Sequence, residues 1–393
     1  MNPPRFHPSL DQHAKAFAQD FLGAILQAAD PCPALQSAMK PDRFTRPTHI
    51  LAFGKASIPM AHAAIESLGA HFARATVLAP ESLISQTQFK GTFVELLPAD
   101  HPLPGINSIE STAQLIEHAQ SIPNDHQALI LISGGSSAML CQPTPESSLE
   151  EIISITKAML RSGASITEIN KARSAFDTIK AGGLAKRIAH THSPIAFVLS
   201  DVIGDDLNTI GSGPAMSEQH PIPHTIIANN DRICDATIAF IGHEHIDLAA
   251  TTRKATGFAA IEAGRLVDPL IKVSSKYPIA SLLGGEPTVD ASESTGIGGP
   301  MTELAIACAI KLIDAPFRWT LITLATDGVD GPTDAAGAII TSEMLTDSTI
   351  REALEQSLIH HDALTMCDTL GATIRTGATG TNVNDIAIAI RWG

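Results

Sequence analysis

The chain has 393 residues, of which 44% are hydrophobic and 17% charged, a balance that excludes disorder and a length that calls for two domains or more. Its formal net charge of -15 comes with lysines and arginines that are dispersed rather than clustered, which excludes a duplex-binding protein and leaves no nucleic acid among the expected partners. No segment approaches the roughly 18 unbroken apolar residues of a membrane span, and the opening MNPPRFHPSL lacks the apolar core of a signal peptide, so the sequence reads as cytoplasmic, with no membrane partner.

The expected fold class is α/β, because short β-rich runs alternate with longer segments of helical period. In chain order, strands are predicted at HILAF (49–53), ATVLA (75–79), FVELL (93–97), ALILIS (128–133) and IAFVLS (195–200). Between them, 57–68, 109–121 and 149–161 read as helices, and 165–189 as one or two more. The proline-rich SGPAMSEQHPIPHT (212–225) marks a linker, giving domains at 1–215 and 222–393. The pattern then resumes with TIIANN (225–230), a helix from about Asp231, a weak strand near 247–252, a helix over 257–273 and the strand IASLLGG (279–285). Beyond the glycine-rich STGIGGP (294–300) come a helix over 302–313 and the strand WTLITLAT (319–326). The I-A-I-A-I alternation of VNDIAIAIRW (383–392) suits a strand with one covered face.

Cysteine and histidine chemistry contributes little. Cys32, Cys141, Cys234, Cys308 and Cys367 are scattered without a C-x-x-C pair, and GHEHIDL (242–248) lacks the helical H-E-x-x-H spacing of a zinc site.

Ligands of open α/β sheets bind beyond the carboxyl ends of strands, and those positions carry a consistent chemistry. Lys55 follows HILAF, SGGSS (Ser133, Gly134, Gly135, Ser136, Ser137) follows ALILI, and Asp201, Asp205 and Asp206 follow IAFVLS. Glu286 follows IASLLGG, while Asp327, Asp330 and Asp334 follow LITLAT. Each element alone has a structural alternative. The adjacent glycines either admit main-chain N–H groups to an anion or form a tight turn with a serine cap. Lys55 sits in a GK pair that is not a P-loop, since His49 stands where the first glycine belongs. Together, a cation, anion-cradling N–H groups and carboxylates able to hold magnesium are what phosphoryl transfer requires. Hydride transfer is the runner-up. The near match to its dinucleotide fingerprint, GIGGPM (296–301), ends in Met301 and follows no clean strand. A non-catalytic sugar-acid binder is disfavoured by the number of carboxylates around a would-be anion site.

Over nearly its whole length the chain resembles the type II glycerate kinases, the glycerate 2-kinase family with a MOFRL C-terminal part. The resemblance runs in order through AFGKAS (52–57), ADHPLPGINS (99–108), LISGGSSAML (131–140), SGASITEINKAR (162–173), VLSDVIGDDLNTIGSGPA (198–215), LLGGEPTV (282–289), ATDGVDGPTDAAGA (325–338) and TGATGTNVNDI (376–386). It implies two α/β/α domains, a Rossmann-like mostly parallel sheet followed by a smaller domain with a mixed sheet, and an active site in the cleft between them, whose closure would exclude water. The implied activity is ATP- and magnesium-dependent transfer of the γ-phosphoryl group to the 2-hydroxyl of D-glycerate, by a monomer or homodimer acting on small molecules. Members also carry the name hydroxypyruvate reductase.

Carried over by motif, Lys55, Asp201 and Asp327 are the expected catalytic residues. Ser133, Gly134, Gly135, Ser136, Ser137, Asn382 and Asp385 are expected at the nucleotide, with Asn384 beside them. Asp201, Glu286 and Asp327 are expected at the metal. Three departures stand out. Two glycines precede the serines where the family has three, R-K-H-L-S reads RSAFD (173–177), and G-G-R-N-Q-E reads GGPMTE (298–303). Pro300 thus replaces the arginine that works with the lysine, and proline offers no donor to a carboxylate or phosphate. Arg173 and Arg375, with Glu286, are the expected substrate-binding residues, and a related small sugar acid is an alternative acceptor.

Overall fold

The computed structural model describes residues 4–6, 12–85, 87, 89, 93–161, 172–290, 296–347 and 349–393. Two compact units divide the chain: Asp30–Asn229 with Gly380–Asn382, and Met1–Ala29 with Asn230–Thr379 and Val383–Gly393. No helix among the described residues is long and apolar enough to cross a membrane.

The first unit is built on β1 (Thr48–Phe53), β2 (Phe72–Pro80), β3 (Val94–Ala99), β4 (Gln127–Ile132), β5 (Ile195–Leu199) and β6 (His224–Ala228). These strands pair in parallel in the order β3-β2-β1-β4-β5-β6, so the order reverses between β1 and β4. Every residue of β4 is buried, as a central parallel strand covered on both faces demands. The switch point puts the loops after β1 and β4 side by side, where such sheets bind ligands.

In this unit the predicted linker needs correction. TIIANN does not open the second domain, because His224–Ala228 hydrogen-bonds β5 as the sixth parallel strand, and the chain enters the second unit only at Asn230. The first residues also belong there: the helix Gln12–Ala29 packs Phe17 and Phe21 edge-on against Phe240 of the helix Asn230–His243, each pair with ring centroids 5.5 Å apart. Of the helix expected over 165–189, residues 162–171 lie outside the described residues, and SGASITEINK with them. Residues 172–176 are helical, and a further short helix is Gly183–Arg187.

The second unit holds β7 (Asp247–Ala255), β8 (Ile279–Gly285), β9 (Trp319–Ala325), β10 (Gly337–Thr341), β11 (Thr373–Ile374) and β12 (Asp385–Arg391) in the order β11-β10-β9-β12-β8-β7. The β7–β8 pair is parallel and the others antiparallel, making a mixed sheet. Both faces of β12 are covered, contrary to the one-faced expectation, since Ile386 through Ile390 are all fully buried. Its alternation is one of size. Ala387 and Ala389 share a core with Ala259, Ala263, Ala305 and Ala309, small residues that let the helices Ala259–Lys272 and Pro300–Leu312 approach closely, while the isoleucines fill the other face.

His49, the residue that breaks the P-loop pattern, has a structural task on β1. Its Nδ1 lies 2.9 Å from His118 Nε2, its Nε2 3.0 Å from His126 Nδ1, and His118 Nδ1 is 2.9 Å from Thr76 Oγ1. His49 and His118, each met at both ring nitrogens, are satisfied when neutral, donating through one nitrogen and accepting through the other. Burial, reinforced by His126 and Arg74, pushes His49 down to about 4, and burial with Arg74 and His49 pushes His118 down to about 3. The unfolded chain therefore binds protons from about pH 6.5 downward that the folded chain refuses, so these residues make stability fall as pH drops from about 6.5 towards 4. Urea midpoints at pH 7.5 and pH 5 will show this loss, and His118→Gln will reduce it. An equal loss in the variant would assign the acid sensitivity elsewhere.

Candidate active site

At the switch point, the loops after β1 and β4 are laced together. Lys55 N donates to Gly134 O at 2.8 Å, Ser133 N to Phe53 O at 3.2 Å, and Ala56 N to Ser133 Oγ at 3.0 Å. The glycines exist for space as well as for the turn. A Cβ on Gly134 would lie 2.3 Å from Asp201 Oδ2 and 2.9 Å from Asn382 Nδ2. One on Gly135, whose φ is +78°, would lie 2.9 Å from His101 Cδ2 and 3.3 Å from Lys55 Cγ. Lys55, Asp201, Asn382 and His101 thus close around two residues that carry no side chain. Asn382 Nδ2 also faces Asp201 Oδ2 at 3.5 Å.

His101 was not singled out from the sequence. Its motif, ADHPLPGINS, was legible, but nothing in a proline-rich loop reveals that its histidine packs on a glycine after another strand.

The serines of the turn divide in role. Ser133 Oγ is spent on the Ala56 N–H, whereas Ser136 Oγ is buried without a hydrogen-bond partner among the described residues. Ser137 Oγ lies 2.9 Å from Ser212 Oγ and receives Arg173 Nη1 at 2.9 Å. Arg173 Nε reaches Thr156 Oγ1 at 3.3 Å, and the guanidinium makes no ion pair among the described residues. Burial pushes its pKa below the usual arginine value, the cost of a cation hydrogen-bonded to the hydroxyls of Ser137 and Thr156. Asp205 ties its loop to the residue after β6, and Asp206 holds the local turn. Asp205 Oδ2 accepts Asn229 Nδ2 at 2.6 Å, and Asp206 accepts Thr209 Oγ1 at 2.6 Å and Asn208 N at 3.1 Å. The Thr209 bond leads the causes that lower the Asp206 pKa.

In the second unit, β12 lies between β8 and β9 with Asp385 paired to Gly285 and Ala325. This register brings Glu286, Asp327, Asn384 and Asp385 to one sheet edge. Asn384 Nδ2 donates to Glu286 Oε2 at 3.2 Å, and Asp327 Oδ1 accepts Val329 N at 3.0 Å. Asp330 is buried and structural. Its Oδ1 accepts Met301 N, and its Oδ2 accepts Thr302 N and Thr302 Oγ1, each at 2.8 Å, which caps the helix Pro300–Leu312. Burial raises its pKa against these bonds. Pro300 occupies the first turn, where a missing N–H is tolerated. The same cap counts against dinucleotide binding at GIGGPM, because the amides that would meet a pyrophosphate already hold a carboxylate.

Arg375 has a different task from the one expected. Nη1 and Nη2 donate to the two oxygens of Asp368 at 2.9 and 3.0 Å, and Nε donates to Asp334 Oδ2 at 3.0 Å. Its fork is filled by carboxylates from its own unit, which removes it from the substrate-binding set.

Among the described residues, no group of three or more histidines, cysteines or carboxylates is arranged to hold a metal. The donors present still suit magnesium, which takes oxygen ligands and commonly uses one or two carboxylates together with substrate phosphates and water. Asp201 beside Asn382, and Glu286 and Asp327 at the ends of β8 and β9, are such oxygens.

These loops and sheets have counterparts in known proteins. A model described as a domain of unknown function, DUF4147, matches residues 17–232, and the MOFRL family model matches 279–385. The D-glycerate 2-kinase of Thermotoga maritima is 32% identical over 415 residues, spanning 96% of this chain and 98% of that protein. The glycerate 2-kinase of Pyrococcus horikoshii is 28% identical, over 94% of this chain and 95% of its own. A crystal structure of the Thermotoga maritima glycerate kinase superposes with a TM-score of 0.83 at 30% identity, covering 97% of this chain and all of that one. With both parts matched in order and the alignment running nearly end to end, the chain belongs to the DUF4147–MOFRL family, that of the type II glycerate kinases.

Proposed function

We propose that this chain is an ATP-dependent glycerate kinase that transfers the γ-phosphoryl group of ATP to the 2-hydroxyl of D-glycerate, giving 2-phosphoglycerate and ADP. The observation that carries the reading is the closure of Lys55, His101, Asp201 and Asn382 around Gly134 and Gly135.

In the proposed reaction a bond forms between the 2-hydroxyl oxygen and the γ-phosphorus, and the bond from that phosphorus to the β,γ-bridging oxygen breaks. Asp201 accepts the hydroxyl proton. The Lys55 ammonium neutralises charge on the migrating group, where a preorganised donor contributes most. Main-chain N–H groups of the SGGSS turn and the buried Ser136 hydroxyl receive phosphate oxygens. Arg173, with Ser137 held beside it, meets the substrate carboxylate in place of the arginine lost at Pro300. Glu286 and Asp327, with Asn384 and Asp385 alongside, are the proposed oxygen donors to the nucleotide's magnesium. Magnesium, when bound, supplies charge neutralisation on the phosphate oxygens.

Incubating the protein with ATP, magnesium and a panel of D-glycerate, tartronate and erythronate, while following ADP release, tests the assignment. Glycerate-stimulated release is expected. A stronger response to another acid would reassign the acceptor, and no response to any acid would overturn the kinase.

A further inference from the structure

Behind the glycine-serine turn lies a lysine that the proposed reaction does not use directly. The Lys180 side chain is 1% exposed, and its Nζ donates to Ser137 O at 2.7 Å and Leu140 O at 2.5 Å, with Asp177 Oδ2 3.9 Å away. Asp177 is itself engaged, since its Oδ1 accepts Gln142 N and Ile179 N, both at 3.0 Å. Burying an ammonium is costly, and a long apolar side chain would fill the same volume without that penalty. Burial indeed pushes the Lys180 pKa down, opposed by Asp177. The retained cation points to a directional task. One tetrahedral nitrogen can hold two carbonyls at once, and these two belong to a residue within the short helix Ser136–Met139 and to the residue that ends it, where carbonyls lack partners within the helix. Ser137 is then fixed from two sides, its carbonyl by Lys180 and its hydroxyl by Arg173.

We propose that Lys180 is a positioning residue for phosphoryl transfer, holding the Ser137 and Leu140 carbonyls so that the SGGSS amides and the Ser136 hydroxyl are preset for an anionic substrate. The inference rests on the kinase reading above. It extends that reading to a residue that touches neither ATP nor acceptor.

The test compares Lys180→Met with Ile195→Ala, a core truncation at the start of β5, all activities being read below each variant's melting temperature. A displacement of about 1 Å at the reacting groups costs on the order of 100-fold. Lys180→Met should therefore lose kcat by about that factor with little change in KM for glycerate, and Lys180→Arg should recover part of it. Ile195→Ala should lose melting temperature yet keep its kcat. If Lys180→Met does not fold, Lys180→Gln, whose amide can still donate to one carbonyl, carries the same comparison. A folded neutral variant with near wild-type kcat would overturn the proposal. So would failure of both neutral variants to fold while Lys180→Arg folds with full turnover, since the lysine would then be structural only. A wild-type protein that releases no ADP would count against the kinase assignment itself.

Discussion

Lys55→Ala is expected to lower kcat by about 100- to 1000-fold, the loss typical when one preorganised transition-state donor is removed, equivalent to about 2.7–4 kcal/mol. The expectation comes from position. Lys55 leaves the carboxyl end of β1, its backbone N–H is fastened to Gly134 O at 2.8 Å, and its side chain runs along Gly135, where a Cβ would come within 3.3 Å of Cγ. The half-buried residue thus starts its side chain beside the turn that would receive phosphate. Stability should change by no more than about 0.5 kcal/mol, as for substitutions outside a packed core. A stopped assay of ADP formation, paired with a melting curve, separates the two effects. A folded Lys55→Ala protein with near wild-type kcat would return the residue to the role of a solvated helix start.

Arg173→Ala is expected to lower kcat/KM for the acceptor acid by about 2–4 kcal/mol, the range for truncating one partner of a buried charge pair. Arg375→Ala should leave kcat/KM nearly unchanged and reduce stability by about 1 kcal/mol or less, as its partners are part-exposed carboxylates. The contrast rests on occupancy. Arg375 already holds both oxygens of Asp368 and one of Asp334, whereas the Arg173 contacts are Ser137 Oγ and Thr156 Oγ1. Steady-state kinetics against glycerate decides it, and the reverse ranking of the two variants would overturn the assignment of the carboxylate site.

That contrast shows where the sequence stops being informative. Arg173 and Arg375 are equivalent as text, each adjoining a glycine- or serine-bearing loop, and only the fold reveals that Asp368 and Asp334 fill one of the two forks. Asp201 and Asp330 are likewise both aspartates in loops after buried strands. One closes on Gly134, while the other is consumed by the amides of Met301 and Thr302. The strands themselves were legible because parallel and central strands are continuous apolar runs, as QALILI and IASLLGG illustrate. The helix Gln12–Ala29 was not read although Phe17, Phe21, Leu22, Ile25 and Leu26 repeat at helical spacing, and its place in the second unit rests on packing against a helix more than two hundred residues later, which no local signal gives. The strand Gly337–Thr341 was hidden in a short apolar run with no periodicity to distinguish it from a helix segment. The placement of Asp385 depends on β12 inserting between β8 and β9, a pairing that no local signal encodes.

The central claim is that phosphate reaches the 2-hydroxyl of a small hydroxy acid, and its most direct test is phosphorus NMR of the product formed from ATP, magnesium and D-glycerate. The account predicts a new phosphomonoester resonance coupled to the proton on C2, growing in step with ADP. A resonance coupled instead to the C3 methylene protons, or nucleotide that stays intact while the enzyme is demonstrably folded, would contradict it.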